Sequence, residues 1–181
     1  AGVMRGALSS SDLDPERLVT MARDVPDMSL LAPVAQVTSS ERHAWLETVA
    51  GAWLSAVQDD LAATGSAPHV VVIDCGAKEN ILRLLAGFGA RTTVVPADAS
   101  ASAILALAPD GVLISNGPGD PEQATATILS VRELMGRVPL YGICLGHQII
   151  CLAAGGRTFK LPFGHHGSNH PVQDVRSNRV S

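Results

Sequence analysis

Residues 139–148 read PLYGICLGHQ. A short apolar run leads into Gly142, Cys144 stands between two glycines, and apolar residues at helical spacing follow from Leu145. This is the pattern of a strand, a sharp turn and a helix, with the reactive residue at the corner. A nucleophile at such a corner sits in a strained backbone conformation, so its neighbours have to be small. Gly142 and Gly146 let the strand and the helix pass close to one another. A helix that starts at Leu145 points its free N–H groups at the thiol, which favours the thiolate. The same N–H groups can receive the oxyanion formed when a thiolate attacks a carbonyl. A lone cysteine after a buried strand is ordinarily core packing, because a free thiol behaves as a small hydrophobe. Here two polar residues, His147 and Gln148, occupy the first turn of an otherwise apolar helix, and this points to chemistry at Cys144.

Working back towards the N-terminus, three more short apolar runs precede this one: HVVVID at 69–74, TTVV at 92–95 and GVLIS at 111–115. With PLYGI at 139–143 they are continuous rather than alternating, which suits strands buried on both faces. Helical segments are expected near 80–88, 100–108 and 122–135. Strand and helix alternate, so the spacing predicts an α/β fold: a parallel sheet with right-handed crossovers and helices on both faces. A ligand site then belongs at the carboxyl ends of the strands. The helix after Cys144 is expected to stop at Gly155-Gly156.

The first 68 residues carry weaker signals. Asp14-Pro15-Glu16 reads as a helix start, with Asp as cap and Pro in the first turn. Leu18, Val19, Met21 and Ala22 continue it towards Pro26, and a second short helical piece is expected around 30–35. Over 44–57, Trp45, Val49, Ala52, Trp53 and Ala56 fit one helical face, interrupted by Gly51. QDDLAATGSAP at 58–68 reads as a linker. Two tryptophans in so short a region suggest that it packs on a further domain or subunit.

Composition narrows the class. The chain has 181 residues, 46% hydrophobic and 17% charged, which is enough for one real core. A net charge of -4 with scattered Lys and Arg gives no footprint for nucleic acid. No apolar stretch approaches the ~18 residues of a membrane span, and AGVMRGALSS lacks the apolar core of a signal peptide. Cys75, Cys144 and Cys151 show no metal spacing and cannot all pair, so a reducing cytoplasm fits best.

A second loop belongs with the cysteine. SNGPGDP at 115–121 closes the third strand with a rigid turn in which neither helix nor strand can continue. No Gly-Lys-Ser/Thr follows, so it is not a phosphate-binding P-loop. Gly117 and Gly119 leave backbone groups open to a close ligand.

GICLGHQ together with SNGPGDP resembles the paired glutamine-site motifs of the class I glutamine amidotransferases. The resemblance implies that Cys144 attacks the side-chain amide of glutamine. It implies an oxyanion hole from the N–H groups of Gly117 and Leu145. It also implies a glutamine site that includes Gly117, Gly119, Leu145 and Gln148, with Gly119 and Gln148 holding the amino-acid end. Two further stretches, DCGAKENIL at 74–82 and FGHHGSNHPVQD at 163–174, resemble the small subunits of carbamoyl-phosphate synthetases. That likeness covers 68–181 closely and implies a division of the chain. Residues 1–57 would be the end of an N-terminal domain, 58–68 a linker, and 69–181 the first part of the amidotransferase domain. It also implies a heterodimer with a large subunit that uses ATP, Mg and bicarbonate to make carbamoyl phosphate. The amidotransferase domain itself would need no metal or cofactor. Whether such a pair would serve arginine or pyrimidine synthesis is left open by the sequence.

His165, His166 and His170 invite a metal reading, but adjacent histidines point apart and no carboxylate or thiolate has suitable spacing. A polar loop is the expectation. The family's general base comes from a His-x-Glu motif well downstream of the cysteine. After Cys144 this sequence has no Glu, and Asp174 is its only carboxylate side chain. The expectation is therefore a fragment that lacks its proton carrier. Two rival readings are a docking module that keeps the fold without using the site, and a thiol-dependent redox protein.

Overall fold

The computed structural model describes residues 5–27, 31–49, 67–161 and 171–180. The chain divides into two compact units, 26–158 and a smaller one made of 1–25 with 159–181.

In the larger unit a five-stranded sheet has the order β1-β3-β2-β4-β5. Its strands are β1 His43–Trp45, β2 His69–Asp74, β3 Arg91–Pro96, β4 Gly111–Ile114 and β5 Leu140–Gly142. β2, β3, β4 and β5 are parallel, with Val72 opposite both Val94 and Leu113, and Ile114 opposite Gly142. The apolar runs at 69–74, 92–95, 111–115 and 139–143 all become strands. β2 shows why they are continuous, with five of its six residues buried; β5 departs from this because it is the other edge of the sheet, with none of its residues buried and Tyr141 exposed.

The helices of this unit are α2 Val34–Val37, α3 Glu79–Gly87, α4 Ala101–Leu105, α5 Thr125–Leu134 and α6 Leu145–Ala153. α1, Pro15–Asp24, belongs to the smaller unit. From β2 the chain moves outward to β3, then returns across β2 to β4. Right-handed crossovers in opposite directions place their helices on opposite faces. Accordingly Leu82 of α3 packs with Val72, Val94 and Leu113 on one face. Ile104 of α4, Val131 and Leu134 of α5, and Leu145 and Ile149 of α6 pack with Val71, Ile73, Val112 and Ile114 on the other. The reversal lies between β2 and β4, so their carboxyl ends open a crevice there.

Boundaries shift for local reasons. Ser100 is the cap of α4 rather than its first turn, its hydroxyl accepting from the Ala103 N–H. The segment at 122–135 divides at Ala124 into a 3-10 turn, Pro121–Gln123, and α5. The short helix expected at 30–35 forms at Val34–Val37. The helical face suggested for 44–57 is corrected at its start. His43–Trp45 pairs antiparallel with β3, Ala44 opposite Thr93. β3 offers an open edge, and pairing there satisfies backbone groups while Trp45 packs against the cluster of Val72, Leu82, Val94 and Leu113. Arg83 of α3 holds the segment that follows, its guanidinium bonding Glu47 at 2.9 Å and Glu79 at 2.6 Å. Residues 50–57, and 58–66 of the expected linker, lie outside the described residues.

In the smaller unit α1, Pro15–Asp24, starts where the sequence predicts. Asp14 caps it by accepting from the N–H groups of Glu16 and Arg17. No residue of α1 is buried. The hairpin β6 Gln173–Asp174 and β7 Arg179–Val180 turns on Asp174, whose carboxylate accepts from the Arg176 and Ser177 N–H groups.

Candidate active site

The three parallel strands β2, β4 and β5 end side by side, and each delivers one loop. β5 delivers the corner at Cys144. Its backbone has φ 53 and ψ -107, a conformation that a residue with a side chain rarely holds, and its thiol is exposed. α6 begins at the next residue. The turn closes with the Gly146 N–H donating to the Ile143 carbonyl at 3.0 Å and the Gln148 N–H to the Cys144 carbonyl at 3.2 Å. The flanking glycines are explained by contact. A Cβ on Gly142 would run into the Gly146 carbonyl and the His147 nitrogen, and one on Gly146 would overlap the Ile114 carbonyl. Strand, corner and helix are packed backbone to backbone.

β4 delivers 115–119. Ser115 is fully buried. Gly117 lies against the Cys75 carbonyl, with no room for a Cβ, and beside the Leu145 side chain. The two residues expected to form the oxyanion hole are therefore neighbours, one following β4 and the other following β5. Among the described residues neither the Gly117 N–H nor the Leu145 N–H has a hydrogen-bond acceptor. Gly119 has φ +90, and a Cβ there would collide with Pro33 at the start of α2. Its glycine thus meets a packing requirement as well as an expected binding role. Gln148 and His147 are exposed on the first turn of α6.

β2 delivers 75–78, which sequence reasoning did not connect to the site. The Cys75 N–H donates to the Ser115 hydroxyl at 2.9 Å. The Asn116 side chain spans the same gap, accepting from the Lys78 N–H at 3.0 Å and donating to the Gly76 carbonyl at 3.1 Å. Asp74, also buried, accepts from the N–H groups of Gly76, Ala77 and Ser39 and from the Ser39 hydroxyl. Burial raises its carboxyl pKa, but these four hydrogen bonds together hold it below the ordinary 3.8. Two polar residues straight after a buried apolar strand, Ser115-Asn116, were the available signal for this bracing. Ser39 gave none.

The other cysteines differ in kind. The Cys75 thiol is buried, and burial with the nearby Asp74 charge pushes it up to about 12. Cys151 is exposed on α6. His69 is a satisfied core histidine, its ring bonding the Leu107 carbonyl and the Thr93 hydroxyl. Among the described residues no group of three His, Cys, Asp or Glu side chains is placed to hold a metal ion. No described helix is long and apolar enough to cross a membrane. His165, His166 and His170 lie outside the described residues.

The cysteine corner of β5 and the glycine loop of β4 thus stand together at the carboxyl edge of a parallel sheet. The family model of class-I glutamine amidotransferases matches residues 71–180, and the chain belongs to that family. More narrowly, the chain is similar to curated proteins named carbamoyl phosphate synthase small chain. It is 46% identical over 183 residues to that of Methanopyrus kandleri, covering 99% of this chain and 46% of the relative. Against that of Thioalkalivibrio sulfidiphilus it is 43% identical over 180 residues, covering 99% and 47%. Against that of Pseudomonas aeruginosa it is 45% identical over 176 residues, covering 96% and 46%. The chain spans about half the length of these relatives.

Proposed function

We propose that the whole protein is the glutamine-hydrolysing small chain of a carbamoyl phosphate synthase, with Cys144 as its nucleophile. The observation that carries this reading is the exposed, strained Cys144 at the start of α6, with Gly117 packed beside the Leu145 side chain of the same helix turn. The thiolate attacks the side-chain carbonyl carbon of glutamine, and the carbonyl electron pair moves onto oxygen. The two amides receive that oxyanion. Collapse of the adduct expels the nitrogen, which takes up a proton and leaves as ammonia. The remaining glutamyl thioester is cleaved by water to glutamate, restoring the thiol. Gly119 and Gln148 would hold the amino-acid end of glutamine.

The proton carrier is a separate matter. Among the described residues no histidine is hydrogen-bonded to a carboxylate. His43 contacts a backbone carbonyl, His69 is buried and spoken for, and His147 is exposed. A His–carboxylate pair is therefore sought outside the described residues. The ammonia would pass to a large subunit holding ATP and Mg, where carbamoyl phosphate is made; this domain uses no cofactor of its own. An exposed nucleophilic thiol suits a reducing cytoplasm.

The test is ammonia release from glutamine by the full-length protein and its Cys144→Ser variant, with mass spectrometry of the acid-quenched enzyme. A glutamyl adduct on Cys144, and loss of turnover in the variant, are expected. Equal turnover in the variant would reject the nucleophile. Size-exclusion chromatography with a candidate large subunit tests the partner, and separate peaks at micromolar concentration would indicate a free-standing enzyme.

A further inference from the structure

We propose that Ser115 sets the direction of the Gly117 N–H, making it a positioning residue for the oxyanion hole. The kinetic part of this rests on the glutaminase reading above; the geometric part does not.

The Gly117 N–H belongs to the same peptide unit as the Asn116 carbonyl. A planar trans peptide points its C=O and its N–H in opposite directions, so whatever holds one aims the other. The Ser115 hydroxyl donates to the Asn116 carbonyl at 2.7 Å. It accepts at the same time from the Cys75 N–H at 2.9 Å. A hydroxyl has one proton to donate and two lone pairs to accept with. Cys75 takes a lone pair, which leaves the proton for Asn116. Ser115 is covered on both faces of the sheet; its accessible surface is 0%. Bulk water therefore does not compete for the hydroxyl.

Residue type and place support the same conclusion. The buried run Val112, Leu113, Ile114 would continue equally well with an apolar residue at 115 as far as burial is concerned. The serine adds one acceptor for the β2 end and one donor for the peptide that carries the Gly117 amide. Asn116 fixes the other side of the unit through Lys78 and Gly76. Gly117 completes it by resting on the Cys75 carbonyl.

The experiment uses the full-length protein with Ser115→Ala and Ser115→Thr, the latter keeping the hydroxyl. Ser115→Cys, a weak donor, takes the place of alanine if the alanine variant does not fold. Crystal structures read the geometry directly. The 116–117 peptide is expected to rotate in Ser115→Ala and to stay in place in Ser115→Thr. An unrotated peptide in the alanine variant overturns the proposal, whatever the protein's activity. For kinetics, kcat with glutamine should fall about tenfold to a hundredfold in Ser115→Ala, since one oxyanion donor is misaimed rather than removed. KM should stay within about threefold, because the oxyanion exists only in the reaction. Alkylation of Cys144 by iodoacetamide forms no oxyanion, so its rate should hold. A kcat unchanged in Ser115→Ala, or a parallel loss of alkylation, would reduce Ser115 to a structural role. Failure of the wild type to release ammonia would sink the glutaminase reading instead, leaving the peptide orientation to decide this one.

Discussion

Gly146 stands directly over the carbonyl of Ile114: a Cβ added to it would overlap that oxygen and lie 2.8 Å from the Ser115 carbonyl. The first turn of α6 therefore rests on the backbone of β4, with no side chain between. This contact fixes the height of the Leu145 amide relative to the loop that carries Gly117.

Gly146→Ala should force the helix away from the sheet. Overpacking of this kind costs about 1–3 kcal/mol. Urea denaturation should show that loss, while Gly6→Ala, where nothing lies within 4 Å, should stay within about 0.5 kcal/mol of the wild type. Equal stability of Gly146→Ala and wild type would mean that the close packing at the corner is not needed.

The three thiols should separate by accessibility and by place in the fold. Cys144 is exposed at a helix N-terminus and should be alkylated first under native conditions. Cys151, exposed but within α6, should follow, and Cys75 should react only on unfolding. The pKa of Cys75, raised from 9.0 to about 12 by burial and Asp74, also has a pH consequence. Below the unfolded value the thiol is neutral in both states and stability is unaffected. Above pH 9 the unfolded thiol ionises while the folded one stays neutral, so stability should fall between about pH 9 and 12. Peptide mapping after brief iodoacetamide treatment checks the order. Equal labelling of Cys144 and Cys151 would argue against an organised corner.

Asp74 ties Ser39 to the end of β2. Asp74→Ala removes an acceptor of four hydrogen bonds and leaves half-buried donors without it, a loss of about 1–3 kcal/mol. The pKa of Asp74 is depressed on folding, so its contribution is complete above the ordinary 3.8 and disappears as pH falls through the lower folded value. Urea midpoints measured from neutral pH down to pH 3 should show wild type and variant converging only at the acid end. A gap that is constant with pH would detach the ionised form from the effect.

Much of the fold and of the corner was legible in the sequence because it lies in local patterns. Continuous apolar runs marked the parallel strands. Gly142-x-Cys144-x-Gly146 marked the corner, since two glycines spaced around one cysteine are what a backbone-to-backbone crossing of strand and helix requires. Asp14-Pro15 placed the start of α1 through the capping preference of those two residue types. Long-range pairings were not legible. Whether His43–Trp45 becomes helix or edge strand depends on the open edge of β3, far along the chain. The Asp74–Ser39 and Ser115–Cys75 bonds join residues that only the folded sheet brings together. The helix at 122–135 was legible in extent but not in its break at Ala124, which follows from the capping of Pro121–Gln123 by Asp120.

Gly117→Pro in the full-length protein deletes the N–H and also disturbs the turn, since its Cβ meets the Cys75 carbonyl. Removing one oxyanion donor costs about 3 kcal/mol, roughly a hundredfold in turnover. Isothermal titration of glutamine into the Cys144→Ser background, with and without the second change, separates binding from catalysis. Binding should weaken far less than turnover. Unchanged turnover in Gly117→Pro would remove Gly117 from the mechanism.

A polypeptide of these 181 residues should hydrolyse glutamine at little more than background if none of His147, His165, His166 and His170 is the base. The corner is formed and both expected oxyanion amides are open, so the thiol can be placed and the oxyanion held. What the described residues do not supply is a proton carrier. His69 is buried with both ring nitrogens engaged. His43 sits on the edge strand β1. His147 lies on the nucleophile's own helix, three residues on, with no carboxylate hydrogen-bonded to it among the described residues. Without a base the thiol must ionise unaided, and without an acid the nitrogen must leave unprotonated. Each positioned acid or base typically contributes about a hundredfold to ten-thousandfold. Members of such a triad act as a unit, and their joint loss in a comparable enzyme costs up to about a millionfold. The measurement is ammonia release by the 181-residue polypeptide beside the full-length protein, both confirmed as folded by circular dichroism. Rates agreeing within about tenfold, well inside the loss expected for an absent base, would show that His147, His165, His166 or His170 is the base.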